Sequence, residues 1–132
     1  MEQTVVMKTF FTLFLTLFFI TACTDDPDPE GILIRVENAS SADFKDIRIS
    51  SGSTPVEFGN ISAGARSDYK EFESAYRYGF VSLLANGKEL RIQPFDYVGE
   101  TPLSKGYYTY KLDIDNSNPD NPTLQMELAT ED

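Results

Sequence analysis

The feature that most constrains this chain is a period of two, repeated in short segments from Ile32 onward. Ile32, Ile34 and Val36 alternate with Leu33, Arg35 and Glu37. Successive side chains of an extended strand point to opposite faces, so such a segment buries one row and wets the other. The pattern returns from Phe44 to Ile49, where Ile47 and Ile49 face in and Arg48 faces out. It returns again in Val56–Ile61, with a break expected at Gly59, and in Ser67–Phe72. Tyr78–Ala85 is apolar on both faces and reads as a central strand. Asn86-Gly87 is a strong hairpin signal, and it leads into Lys88–Gln93 with Leu90 and Ile92 inward. After a longer loop from Pro94 to Lys105, Tyr108, Tyr110, Leu112 and Ile114 alternate with Tyr107, Thr109, Lys111 and Asp113. Leu124, Met126 and Leu128 make a last strand. Glu71–Tyr76 has room for one helical turn and nothing longer. The expectation is all-β: an antiparallel β-sandwich of seven or eight short strands over residues 32–132, with a barrel as the main rival.

Two turns carry a resemblance. Leu103-Ser-Lys-Gly106-Tyr107-Tyr108 resembles the Leu-x-x-Gly-x-Tyr turn-and-strand of transthyretin-like and related immunoglobulin-like bacterial surface modules. Ile61-Ser-Ala-Gly64 looks like a second such turn. The likeness covers these two segments only. It implies a fold and no activity.

The N-terminal region has a different character. Lys8 precedes an apolar block from Thr9 to Ile20, followed by Thr21, Ala22 and Cys23, the one cysteine of the chain. As a helix the block would reach about 18 Å, short of a bilayer core of roughly 30 Å. A basic start, a short apolar core and small residues before a cleavage point are the layout of a secretory signal. Met7 would be a more typical start for it than Met1. Ile20-Thr21-Ala22-Cys23 resembles a bacterial lipobox. That resemblance implies cleavage between Ala22 and Cys23, a lipid on the Cys23 sulfur, and a membrane anchor of more than one acyl chain. Residues 1–22 are then the signal peptide and 23–31 the anchor and tether. The tether holds Thr24-Asp-Asp-Pro-Asp-Pro-Glu-Gly31, with no apolar residue for a core and two prolines that oppose regular structure. Its carboxylates repel one another and extend it. An acidic run after the cysteine resembles that of surface-exported lipoproteins of the Bacteroidota. This implies the outer membrane and its outward face, with the periplasmic face as the other possibility.

Processing would leave roughly 110 residues, enough for one domain. Glu2 and Lys8 cancel, so the processed chain keeps the formal net charge of −10. That charge argues against nucleic acid as a partner. The domain has no cysteine after Cys23, so its core must hold it without disulfides. Histidine is absent, which removes Ser-His-Asp and Cys-His catalysis and histidine-containing metal sites. Asp113, Asp115, Ser117 and Asp120 place oxygens at intervals like a calcium loop. The EF-hand pattern nevertheless fails at Asn118 and Leu124, and these residue types equally form a β-turn. No cofactor or metal is expected.

The seven tyrosines are the most distinctive side chains. Tyrosine beside arginine is common at protein interfaces, and its ring also stacks on sugars. Tyr76, Arg77, Tyr97 and Tyr107 are the candidate binding residues. The expected function is a lipid-anchored, non-catalytic envelope module with a protein or glycan ligand. One alternative is a small hydrolase using the carboxylates of Asp96 and Glu100, which share the long loop. The other is a purely structural envelope protein.

Overall fold

The computed structural model describes residues 29–131, so Ala22, Cys23, the expected signal and most of the expected tether lie outside the described residues. Eight strands follow one another: β1 Ile32–Asn38, β2 Phe44–Ser50, β3 Val56–Ile61, β4 Lys70–Phe72, β5 Phe80–Ala85, β6 Lys88–Ile92, β7 Gly106–Asp115 and β8 Thr123–Thr130. They form two four-stranded sheets, in the orders β4-β1-β7-β8 and β3-β2-β5-β6. The result is an all-β sandwich, and neither sheet closes into a barrel.

Alternation decides which rows face inward. In β1, Ile32, Ile34 and Val36 are buried and the residues between them are half-exposed. They meet Phe44, Ile47 and Ile49 of β2, Val81 and Leu83 of β5, and Tyr110 and Leu112 of β7 in one core. Phe58 of β3 stacks against Phe72 of β4 across the gap between the sheets, with centroids 6.1 Å apart. β5 is central, as its apolar composition implies, between β2 and β6.

Three details differ from the sequence expectation. The pairing is not wholly antiparallel: β1 runs parallel to β7 over its full length, from Ile32 beside Gly106 to Asn38 beside Leu112. Alternation fixes which face a strand buries and is silent on the direction of its neighbour. The segment before Phe72 pairs only over Lys70–Phe72, with one isolated bridge between Arg66 and Glu37. Glu73–Gly79 bends without a helical turn, because Ala75 and Tyr76 are held by contacts from other loops. The break expected at Gly59 is a bulge. The register of β2 on β3 shifts on both sides of Ile47, which faces Gly59. Asp46 in β2 has φ 52° and Gly59 has φ 68°, the left-handed conformation that lets one strand carry an extra residue.

The strand directions give the sandwich two unlike ends. The N-terminal ends of β1 and β7 lie together, the Gly106 amide donating to Gly31 O at 3.0 Å. The chain therefore enters at the same end as the loops 51–55, 73–79 and 93–105. The opposite end holds the connections 39–43, 62–69, Asn86-Gly87 and 116–122. Asn86 and Gly87 have φ 52° and 76°, a primed turn that matches the twist of the strands it joins.

Candidate functional site

At the entry end a buried polar knot is the foundation. Tyr110 is fully buried, and its hydroxyl donates to Tyr76 O at 2.6 Å with Ser51 Oγ at 3.1 Å. Ser51 Oγ donates to Tyr78 O at 2.7 Å and accepts the Tyr76 amide at 2.8 Å. Burial pushes the Tyr110 hydroxyl up to about 12, slightly offset by Ser51. This knot fixes the backbone of Tyr76 and Tyr78, and so aims their rings.

Tyr97 stacks on both rings. Its centroid lies 4.5 Å from that of Tyr76, with planes 13° apart, and 5.6 Å from that of Tyr78, at 22°. Its hydroxyl donates to Ser50 O at 3.3 Å, and burial raises its pKa. Tyr78 donates to Asp96 O at 3.3 Å; its pKa is raised by burial and then by the Glu100 carboxylate. The Leu103 amide reaches Ala75 O at 2.8 Å. Tyr108 turns back to donate to Ser104 O at 2.8 Å, a tyrosine corner in geometry. A Cβ at Gly106 would press on the Tyr108 ring at 3.3 Å. These contacts account for the Leu103–Gly106–Tyr108 spacing and hold both ends of the 93–105 loop.

The structure therefore brings Tyr76 and Tyr97 together and adds Tyr78. Arg77 is exposed beside them. Tyr107 lies elsewhere, on the outer face of the β1–β7 sheet, edge-on to Tyr69 at 5.1 Å. The tyrosine–arginine contact on that face is made by Arg35, whose guanidinium lies 4.9 Å from the Tyr69 centroid. Arg35 also bonds Thr109 and Glu131. Thr109 and then Arg35 hold the Glu131 carboxyl below its ordinary range.

Asp96 and Glu100, the carboxylates of the hydrolase alternative, are both exposed. Asp96 accepts the Val98 amide at 3.1 Å, an ordinary turn contact. At the opposite end, the oxygens considered for calcium make similar turns: Asp115 accepts the Ser117 amide, which lowers its pKa, and Asn118 accepts the Asp120 amide. Among the described residues, no group of three or more His, Cys, Asp or Glu side chains is placed to hold a metal ion.

Sequence reasoning missed two features. Phe95 and Val98 are 104 % and 87 % exposed, at the tip of the 93–105 loop. Pro94-Phe95 and Tyr97-Val98 put large apolar residues outside any strand alternation, a pattern that does not say which of them fold back and which project. The second feature is a cleft of about 200 Å³ at the far end. Ser40, Asn86, Lys88 and Asn116 supply polar groups around Leu90 and Ile114. Three connections distant in sequence converge there, and only the closed sandwich reveals it. No protein-family model matches this chain, and no curated protein matches it.

Proposed function

We propose that this chain is a lipid-anchored, non-catalytic module of the outer membrane, displayed on the cell surface, which binds a protein or glycan partner. The observation that carries the reading is the polarity of the sandwich. The chain enters beside Gly106, so an anchor at Cys23 would hold the entry end toward the membrane. The far-end loops then stand off by the length of a seven-residue strand, about 23 Å at 3.3 Å per residue. The Ser40–Asn86–Asn116 cleft faces away from the anchor, and its hydroxyl, amide and ammonium groups suit hydrogen bonding to peptide or sugar. It is smaller than the roughly 300 Å³ of a usual small-molecule pocket, which fits one side chain or one sugar ring of a larger partner.

The test has three arms. Cys23→Ser should abolish incorporation of labelled fatty acid and release the protein from the membrane fraction; unchanged incorporation refutes the anchor. Affinity capture with the lipidated protein should lose its partner on Asn116→Arg and keep it on Tyr107→Ala. The reverse pattern would move the binding surface to the face of the β1–β7 sheet. Protease treatment of intact cells should remove the domain, and a domain that survives is periplasmic.

A further inference from the structure

The Phe95–Val98 tip has no role in that reading, and its exposure is unusual. A single exposed apolar side chain on a protein surface needs no explanation. Here two project from one loop, next to a shallow apolar surface formed by Tyr78, Ile92, Pro94 and Met126. The loop does not hold them out by default. Tyr97, between them in sequence, is turned inward onto Tyr76 and Tyr78. The Glu100 amide donates to Tyr97 O at 3.0 Å, and Gly99 has φ 81°, the arrangement of a type II turn with Val98 at its outer corner. The scaffold thus positions Phe95 and Val98 outward.

We propose that the Phe95–Val98 tip sits in the headgroup layer of the membrane that carries the anchor, and so fixes the sandwich with its entry end down. The distance part of this rests on the anchored reading; the tip geometry does not. Eight residue steps separate Cys23 from Gly31, at most about 28 Å fully extended. The tip is at the end where Gly31 enters, so a tether of that length lets it reach the bilayer surface. Aromatic side chains with a polar group beside them favour that interface, and here the Tyr78 hydroxyl lies at the base of the tip, donating to Asp96 O at 3.3 Å. The loops at that end carry Glu73, Asp96 and Glu100 against Arg77 and Lys105, on a chain of net charge −10. That balance selects a zwitterionic surface over an anionic one. The consequence is orientation: a membrane-seated tip would turn the far-end cleft outward permanently.

The chain has no tryptophan, so one introduced indole reports its own surroundings. The lipidated full chain carrying Phe95→Trp, in phosphatidylcholine vesicles, should show blue-shifted emission. Quenching by brominated acyl chains should be several-fold stronger than for Asn86→Trp at the far end. Phosphatidylglycerol vesicles should weaken the effect. Flotation of the same samples reports the anchor separately. If the protein floats and both indoles are equally open to an aqueous quencher, the proposal is overturned while the anchor stands. If the protein does not float, the unanchored chain is titrated with the same vesicles: a saturable blue shift for Phe95→Trp alone sustains the tip, and none overturns it. A shift produced by solubilised envelope protein and not by vesicles also overturns it, in favour of a protein partner.

Discussion

Each end of the sandwich is closed by a buried polar knot, and the two knots are built from opposite kinds of contact. At the far end the knot is Asn38, fully buried. Its amide nitrogen donates to Ala42 O at 2.7 Å and Ile61 O at 3.1 Å, and its oxygen accepts from the Ser40 amide and hydroxyl. Three of these four bonds stay within four residues of Asn38. At the entry end, Ser51, Tyr76, Tyr78 and Tyr110 are joined by bonds that span 25 to 59 residues. A local knot can form with its own turn, as Asn and Ser side chains commonly do. A long-range knot exists only once both sheets have met. The far end is thus encoded by its turns, and the entry end by the closed core.

The largest effect tests which knot the whole fold depends on. Tyr110→Ala removes a fully buried ring and the hydroxyl that donates to Tyr76 O, and should cost about 3–5 kcal/mol in urea unfolding. Asn38→Ala leaves carbonyls short of donors without opening a comparable cavity, and should cost about 2–3 kcal/mol. A larger loss at Asn38 would reverse the comparison.

Alkaline titration sharpens it. Tyr110 titrates at about 12 in the fold, against about 10 in an unfolded chain. Because the folded state holds the proton more tightly, its contribution is full below pH 10 and is lost as pH rises through about 12. The loss amounts to about 2–3 kcal/mol. Tyr110→Phe should cost about 1–2 kcal/mol at neutral pH and flatten most of that alkaline decline. An unchanged decline would assign it to the raised hydroxyls of Tyr78 and Tyr97 instead.

The same split between local and long-range contacts explains what the sequence revealed. Strand positions and inward rows were legible because alternation is local: Ile34, Val36, Ile47, Ile49 and Leu112 are all buried as their parity demands. The Asn86-Gly87 hairpin was legible because its turn type depends on two residues. The parallel β1–β7 pair was not legible, since nothing in either strand records the direction of its neighbour. The grouping of Tyr76 with Tyr97 was only half legible. Their loops are joined by the Leu103 amide on Ala75 O and the Tyr78 hydroxyl on Asp96 O, whereas Tyr107 follows β7 onto the outer face, where its odd parity sends it. The exposed tip was hidden because apolar residues in a loop do not announce whether they fold back.

The smallest predicted effect on overall stability separates the ends most clearly. Tyr97→Ala deletes two ring stacks and the hydroxyl bond to Ser50 O, yet touches none of the bonds of the Tyr110 knot. It should lower global stability by about 1 kcal/mol, less than its two aromatic contacts would sum to, because the loop they hold can open without unfolding the sandwich. Its local effect should be much larger, because the stack is what ties the middle of the 93–105 loop to the body. Hydrogen exchange at the Val98 and Glu100 amides should accelerate toward that of an open loop, since local opening is governed by the contacts of that segment alone. The Asn38 and Gly64 amides at the far end, which donate to Ala65 O and Asn38 O at 2.9 and 2.8 Å, should keep their protection. Equal acceleration at both ends would mean that the knots are coupled through the core, and that the far end is less self-sufficient than its turns imply.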